Sequence, residues 1–170
     1  LAQAFWPGPL TLVLPLRPDA GIAGAVTAGL PTIALRCPAH PVMQALLKKT
    51  GLNIAAPSAN KSGGISPTRA EHVLAGLGGA VPMILDGGPC SAGLESTIVA
   101  VREHGWQILR PGPVTAADIE RVLGTSLLAA SGDNIEAPGQ LASHYAPSKA
   151  VRLNAIQQEP GEWHIGFGAI

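Results

Sequence analysis

Charge of either sign is scarce, since only 13% of the 170 residues are Asp, Glu, Lys or Arg. Eleven basic residues balance eleven acidic ones, for a formal net charge of zero. This excludes a disordered acidic or basic tail and excludes nucleic-acid binding through bulk positive charge. An RNA-related role carried by a specific site stays open. Cysteine is also sparse. Cys37 and Cys90 stand 53 positions apart, with no CxxC and no histidine at ligand spacing. They read as free buried thiols, not as a disulfide or a metal site. Two such cysteines without a secretory signal fit a reducing cytoplasm. No apolar run reaches the roughly 18 residues that would span a bilayer, so no membrane partner is expected.

What the chain does have is a hydrophobic fraction of 46%, enough for a sizeable core, punctuated by 21 glycines and 16 prolines. Strand-like runs fall at 10–16, 32–36, 53–56, 82–86, 96–101 and 106–109. Helical patterns lie between them. Pro41 opens one at its first position and Gly51 stops it. Thr68 and Glu71 form a capping-box pattern ahead of the stripe Val73, Leu74 and Leu77. Thr115 caps a third helix, with Asp118 in its first turn, Ile119, Val122 and Leu123 inward, and Gly124 at its end. Strands alternating with helices, then a run of strands, predict an α/β domain with a mixed sheet over 1–128. Residues 129–139 are small and polar and read as the start of a linker. Apolar stretches at 150–153 and 163–167 suggest the first strands of another α/β domain. The chain opens with Leu1 on an aromatic-proline run and stops at Ile170 inside an apolar stretch, and it is read as an excerpt of a longer polypeptide.

Chemistry concentrates at loops that follow strands. PSANKSGGISPT, residues 57–68, offers Ser58, Ser62, Ser66 and Thr68, the Asn60 amide and Gly63-Gly64 just before a helix. Hydroxyls, glycine-freed N–H groups and a helix N-terminus make an anion-binding concavity. The same residues could equally serve only to cap that helix. There is no GxxxxGK[ST], so this is not a P-loop. Arg36 ends one strand, where a guanidinium can fork onto a carboxylate. DGGPCSAGLESTIV leads a glycine-rich turn into Glu95, Ser96 and Thr97, and Arg110 ends a further strand. Each could be an ordinary turn or a solvated arginine. Their shared place at strand ends favours a ligand site, because α/β folds collect ligands there. The five histidines show neither metal spacing nor triad logic, and His40 and His72 read as helix-start and helix-surface residues. The whole reads as a polar clamp for anions, suited to transfer from a nucleotide by positioning and electrostatics.

Taken in order, PGPLTLVL at 7–14, PTIALR at 31–36, HP at 40–41, PSANKSGGISPT at 57–68, DGG at 86–88, ESTIV at 95–99, LRPG at 109–112 and HYAP at 144–147 strongly resemble the threonylcarbamoyl-AMP synthase family, of YrdC-like fold. The likeness runs through about residues 5–147. It implies a twisted mixed sheet with flanking helices, truncated at its N-terminal side, where the family's PTxTxYGL-type strand and a Lys/Arg-rich segment are absent. It further implies a linker over 129–148 that folds over the active site, and the start of a Rossmann-like C-terminal domain at 149–170. The family makes L-threonylcarbamoyladenylate from L-threonine, bicarbonate and ATP, releasing pyrophosphate, for tRNA modification. By that resemblance Arg36, the Ala56 backbone and Ser96 would hold threonine. Thr32, Ser58, Ser66, Arg110 and Tyr145 would hold ATP, with Mg2+ expected alongside it and no metal ligand identified. Transfer RNA would be met only through a downstream threonylcarbamoyl transferase. Two other readings are a carbamoyl-adenylate-handling carbamoyltransferase domain, against which the absent CxxC and the HYAP linker weigh, and a non-catalytic RNA-binding module of the same fold, against which the zero net charge weighs.

Overall fold

Two stretches, LTLVLP and TIVAVR, are apolar at nearly every position, the pattern of strands covered on both faces. They become the two central strands. In the computed structural model, which describes residues 1–125, 127–128 and 150–165, β1 is Leu10–Pro15, β2 Thr32–Arg36, β3 Thr97–Arg102 and β4 Gly105–Arg110. They form one twisted four-stranded sheet in the order β2-β1-β3-β4. β1 pairs antiparallel with β2 and parallel with β3, and β3 pairs antiparallel with β4, so the sheet is mixed. The parallel β1–β3 pair needs a long crossover. That crossover carries β2 and the helices α2 (Gly24–Thr27), α3 (Pro41–Thr50) and α4 (Ala70–Leu77).

Alternation then divides the sheet into two faces. On one, Leu10, Leu12, Val99 and Trp106 are buried against Val114 and Ile119, and the short helix α1 (Ala2–Phe5) adds Ala2 and Phe5. Ile119 comes from α5 (Ala116–Leu123) and is fully enclosed, whereas Val122 and Leu123 of that helix are exposed. The other face buries a smaller group, Val13, Ile98 and Ala100, together with the hydroxyl residues Thr11 and Ser96.

α3 starts and stops where Pro41 and Gly51 predict, with Gly51 at φ 65°. The Thr115 box is also as expected: its hydroxyl accepts from the Asp118 N–H, and the Asp118 carboxylate accepts from the Thr115 N–H. Elsewhere the expectations fail. Residues 53–56 and 82–86 form no strand; they find no ladder partner among the described residues, and Leu52, Ile54, Met83 and Leu85 are exposed. The Thr68 box does not form either. Arg69 is the N-cap of α4 without a side-chain bond, because the Thr68 N–H is engaged by His72 Nδ1 at 3.3 Å instead. Leu74 in the anticipated stripe lies 61% exposed. Both cysteines are free, but Cys90 is exposed on the loop before β3 and Cys37 is only half-buried. Residues 150–165 contain turns and no strand, organised by Arg152 forking onto Glu162 at 2.9 and 2.5 Å.

Candidate active site

Sheet register sets one row of side chains across the polar face. Arg36 on β2 pairs with Thr11 on β1, Thr11 with Ile98 on β3, and Ile98 with Arg110 on β4. Paired residues project to the same face. Ser96, two positions before Ile98, falls there too by the strand period. A register shift at Ile98/Val99 pairs Arg110 with Ile98 while Val99 pairs with Ile108, a bulge that re-aims the end of β4.

Arg110 is fastened to Ser96. Its Nε and Nη2 donate to the Ser96 carbonyl at 3.1 and 2.9 Å, and Nη2 also donates to the Ser96 hydroxyl at 3.1 Å. Gly112 explains how the chain comes so near. A Cβ there would sit 2.5 Å from both the Glu95 carbonyl oxygen and the Thr97 nitrogen, so the RPG turn lies against β3 in a way only glycine permits. Ser96 Oγ in turn lies 2.8 Å from Thr11 Oγ1, and both residues are buried.

Arg36 is held from the other side. Its Nε donates to the Gly8 carbonyl at 3.1 Å, while the Gly8 N–H donates to the Cys37 carbonyl at 2.8 Å, so PGP clamps the end of β2. Partial burial, and then the nearby Arg110 cation, hold the Arg36 guanidinium below the ordinary arginine value. A guanidinium is a cation throughout the physiological pH range. Two guanidinium cations therefore share a corner of the sheet, and among the described residues no carboxylate forms an ion pair with Arg36. An anion placed there relieves their repulsion and gains charge-assisted hydrogen bonds. Thr32 stands four residues before Arg36 on the same face, about 13 Å away along the strand.

The 57–68 loop builds a second concavity. Asn60 Nδ2 donates to the Lys61 and Gly64 carbonyls at 2.8 and 3.1 Å, pinning the turn at Gly63, whose φ is 80°. A cavity of about 330 Å³ opens between this loop and α4, lined by Asn60, Lys61, Ser66 and His72 among others. Asn60 Oδ1 and Ser66 Oγ face no hydrogen-bond partner although both atoms are buried. Buried acceptors of this kind call for a donor-bearing ligand or water. Neighbouring motifs stitch the loop in place. Cys90 N–H donates to the Thr68 carbonyl at 2.9 Å, and Asp86 Oδ1 accepts from Gly88 N–H at 2.8 Å. His40 Nδ1 accepts from Val42 N–H, so its other nitrogen carries the proton given to the Gly87 carbonyl at 3.2 Å.

Of the residues singled out from sequence, the structure thus gathers Arg36, Ser96 and Arg110, and places Ser66 at the loop cavity. Ala56 and Ser58 are exposed on the extended segment before the loop, and no hydrogen bond among the described residues joins them or Thr32 to the arginine row. Tyr145 and the 129–148 linker lie outside the described residues. Asn60, named from the sequence with the loop hydroxyls, lines the loop cavity, whereas Thr11 is a site residue that the sequence does not single out. Thr11 sits in an apolar strand pattern and meets Ser96 across 85 positions, a relation no local spacing encodes.

Residues 1–112 match the sequence model of the Sua5/YciO/YrdC family, described as telomere recombination. Residues 114–164 match that of the threonylcarbamoyl-AMP synthase C-terminal domain. The chain is 47% identical over 157 residues to a threonylcarbamoyl-AMP synthase of Bacillus subtilis, covering 90% of this chain and 45% of that protein. It is 43% identical over 156 residues to the synthase of Pyrococcus abyssi, with coverage of 89% and 45%. The crystal structure of P. abyssi Sua5 complexed with L-threonine superposes with a TM-score of 0.79 at 43% identity, over 86% of this chain and 44% of that one. The chain spans less than half the length of these relatives. With two thirds of its residues under the family's own model and the same sheet beneath them, the chain belongs to the Sua5/YciO/YrdC family.

Proposed function

We propose that this chain carries the amino-acid and nucleotide site of an L-threonylcarbamoyladenylate synthase. The observation behind this reading is the Arg36–Arg110 pair, two cations at one sheet corner, next to the buried Ser96 hydroxyl. Arg36 would fork onto the threonine carboxylate, with Ser96 and the Ala56 backbone beside the amino acid. Arg110, Thr32, Ser58 and Ser66 would hold ATP, and Tyr145 would lie against the nucleotide. The amine of threonine and bicarbonate give a carbamate and water. A carbamate oxygen then attacks the α-phosphorus of ATP, the bond to the β-phosphate breaks, and pyrophosphate leaves. The chain's contribution is to hold two anions in line and to neutralise charge, since no side chain is assigned a proton transfer.

Magnesium enters with ATP as the substrate complex, its charge shared with the phosphates. The described residues contain no group of three or more His, Cys, Asp or Glu that would hold it separately. The adenylate would pass to a threonylcarbamoyl transferase acting on tRNA, so RNA need not touch this chain. A cytoplasmic setting suits that role and two free thiols. Among the described residues no helix is long and apolar enough to cross a membrane. The test is pyrophosphate release by purified full-length protein with ATP, threonine and bicarbonate. Release that depends on threonine is expected. A folded protein that releases none, or releases it regardless of threonine, overturns the reading.

A further inference from the structure

Thr11 stands in the middle of the arginine row, opposite Arg36, yet the reading above gives it no task. Its backbone is already secured by the β1 ladders on both sides, so its hydroxyl is not needed to join the strands. That hydroxyl is buried and 2.8 Å from the Ser96 hydroxyl. Proton counting shows what the pair can do. Two hydroxyls bring two protons, and their mutual hydrogen bond uses one. Arg110 Nη2 supplies a third donor into Ser96 Oγ, so Ser96 is already well provided as an acceptor. One hydroxyl proton is left over. Among the described residues neither hydroxyl makes another hydrogen bond, and the cations on either side, Arg36 and Arg110, are no acceptors.

We propose that Thr11 is a positioning residue for the amino-acid substrate: with Ser96 it presents one oriented O–H donor to the substrate carboxylate seated on Arg36. This rests on the synthase reading above. Directly paired residues on neighbouring strands have Cβ atoms about 5 Å apart. A carboxylate forked by Arg36 therefore lies within reach of the Thr11–Ser96 pair. Replacing Thr11 by valine keeps shape and burial but removes the hydroxyl, which leaves the Ser96 proton unoriented.

The experiment compares wild type, Thr11→Val and Thr11→Ser in the full-length protein. Threonine and ATP binding are measured separately by calorimetry, and the threonine KM and kcat by pyrophosphate release. Losing a hydrogen bond to a charged group corresponds to a roughly 10- to 100-fold weaker threonine Kd and KM in Thr11→Val. ATP affinity should stay within about twofold, and Thr11→Ser should recover most of the threonine affinity because it restores the hydroxyl. A folded Thr11→Val protein with wild-type threonine affinity overturns the proposal, and so do equal losses for both ligands. If the valine protein does not fold, Thr11→Ala is read by the same criteria. Threonine binding without ATP decides the matter even if turnover is absent, whereas an inactive wild type counts against the synthase reading itself.

Discussion

At Thr97 one hydroxyl donates to the Val114 carbonyl at 2.8 Å and accepts from the Val114 N–H at 3.0 Å, with the residue fully buried. Thr97→Val would keep the shape and strip both bonds, leaving a buried N–H and a buried C=O without partners. At about 1–3 kcal/mol for each of the two orphaned groups, roughly 2–6 kcal/mol of stability should go. A urea-unfolding midpoint that hardly moves would show that water replaces the hydroxyl. Arg36 poses a different question, about function and not stability. Arg36→Lys keeps the charge but loses the planar fork and the Nε–H bond to Gly8. Threonine affinity should fall about tenfold or more while ATP affinity changes little, as read by calorimetry. Equal losses for both ligands would remove the carboxylate role. Sequence pointed to Arg36, Ser96 and Arg110 because charged or hydroxyl residues at strand ends are locally visible. Thr11 was hidden because its meaning depends on which strand lies beside it.

Elements with self-contained signals came through and those that need a neighbour did not. α3 and α5 carry their own start and stop residues, and they form where those residues stand. The apolar runs at 53–56 and 82–86 look like strands, yet a strand exists only when a partner takes its N–H and C=O groups. Thr68 failed as a cap because His72, four residues on, competes for its N–H, and a T-x-x-E pattern does not see that ring. In α5 the cap makes a pH prediction. The Thr115 hydroxyl first, then its N–H, then Arg121, hold the Asp118 carboxyl below its ordinary value of 3.8. A depressed carboxylate contributes stability that is present above the unfolded value and lost as pH falls through the folded one. The melting-temperature gap between wild type and Thr115→Ala should therefore be full at pH 7 and shrink below about pH 4. A gap independent of pH would refute this. The RPG turn is the element-scale counterpart at the site. Gly112→Ala must push Pro111 and Arg110 off β3, so pyrophosphate release should drop at least tenfold along with stability. Wild-type activity in that variant would mean the turn can shift without moving the guanidinium.

For the molecule as a whole, order is uneven in a way hydrogen exchange can read. β1 and β3 are buried at four consecutive positions each and are laddered on both sides. The long crossover between them has a different character, since residues 51–59 are all exposed and 82–94 mostly so, outside any strand or helix. Amides open with free energies that track burial and backbone bonding, from near zero up to global unfolding. The slowest exchange should therefore fall on Leu12, Val13, Val99 and Ala100, near the limit set by global unfolding. Amides at 53–56 and 83–86 should exchange close to the unprotected rate. Ligands should divide in the same way, because the loop cavity around Asn60 and Ser66 is built on that loosely protected crossover while the arginine row is built on the sheet. Adding ATP should thus slow exchange across 57–68 by tenfold or more, and adding threonine should change the already protected sheet amides little. Strand-like protection at 53–56 without ligand would mean that the segment is paired after all, and the two-tier picture would have to be abandoned.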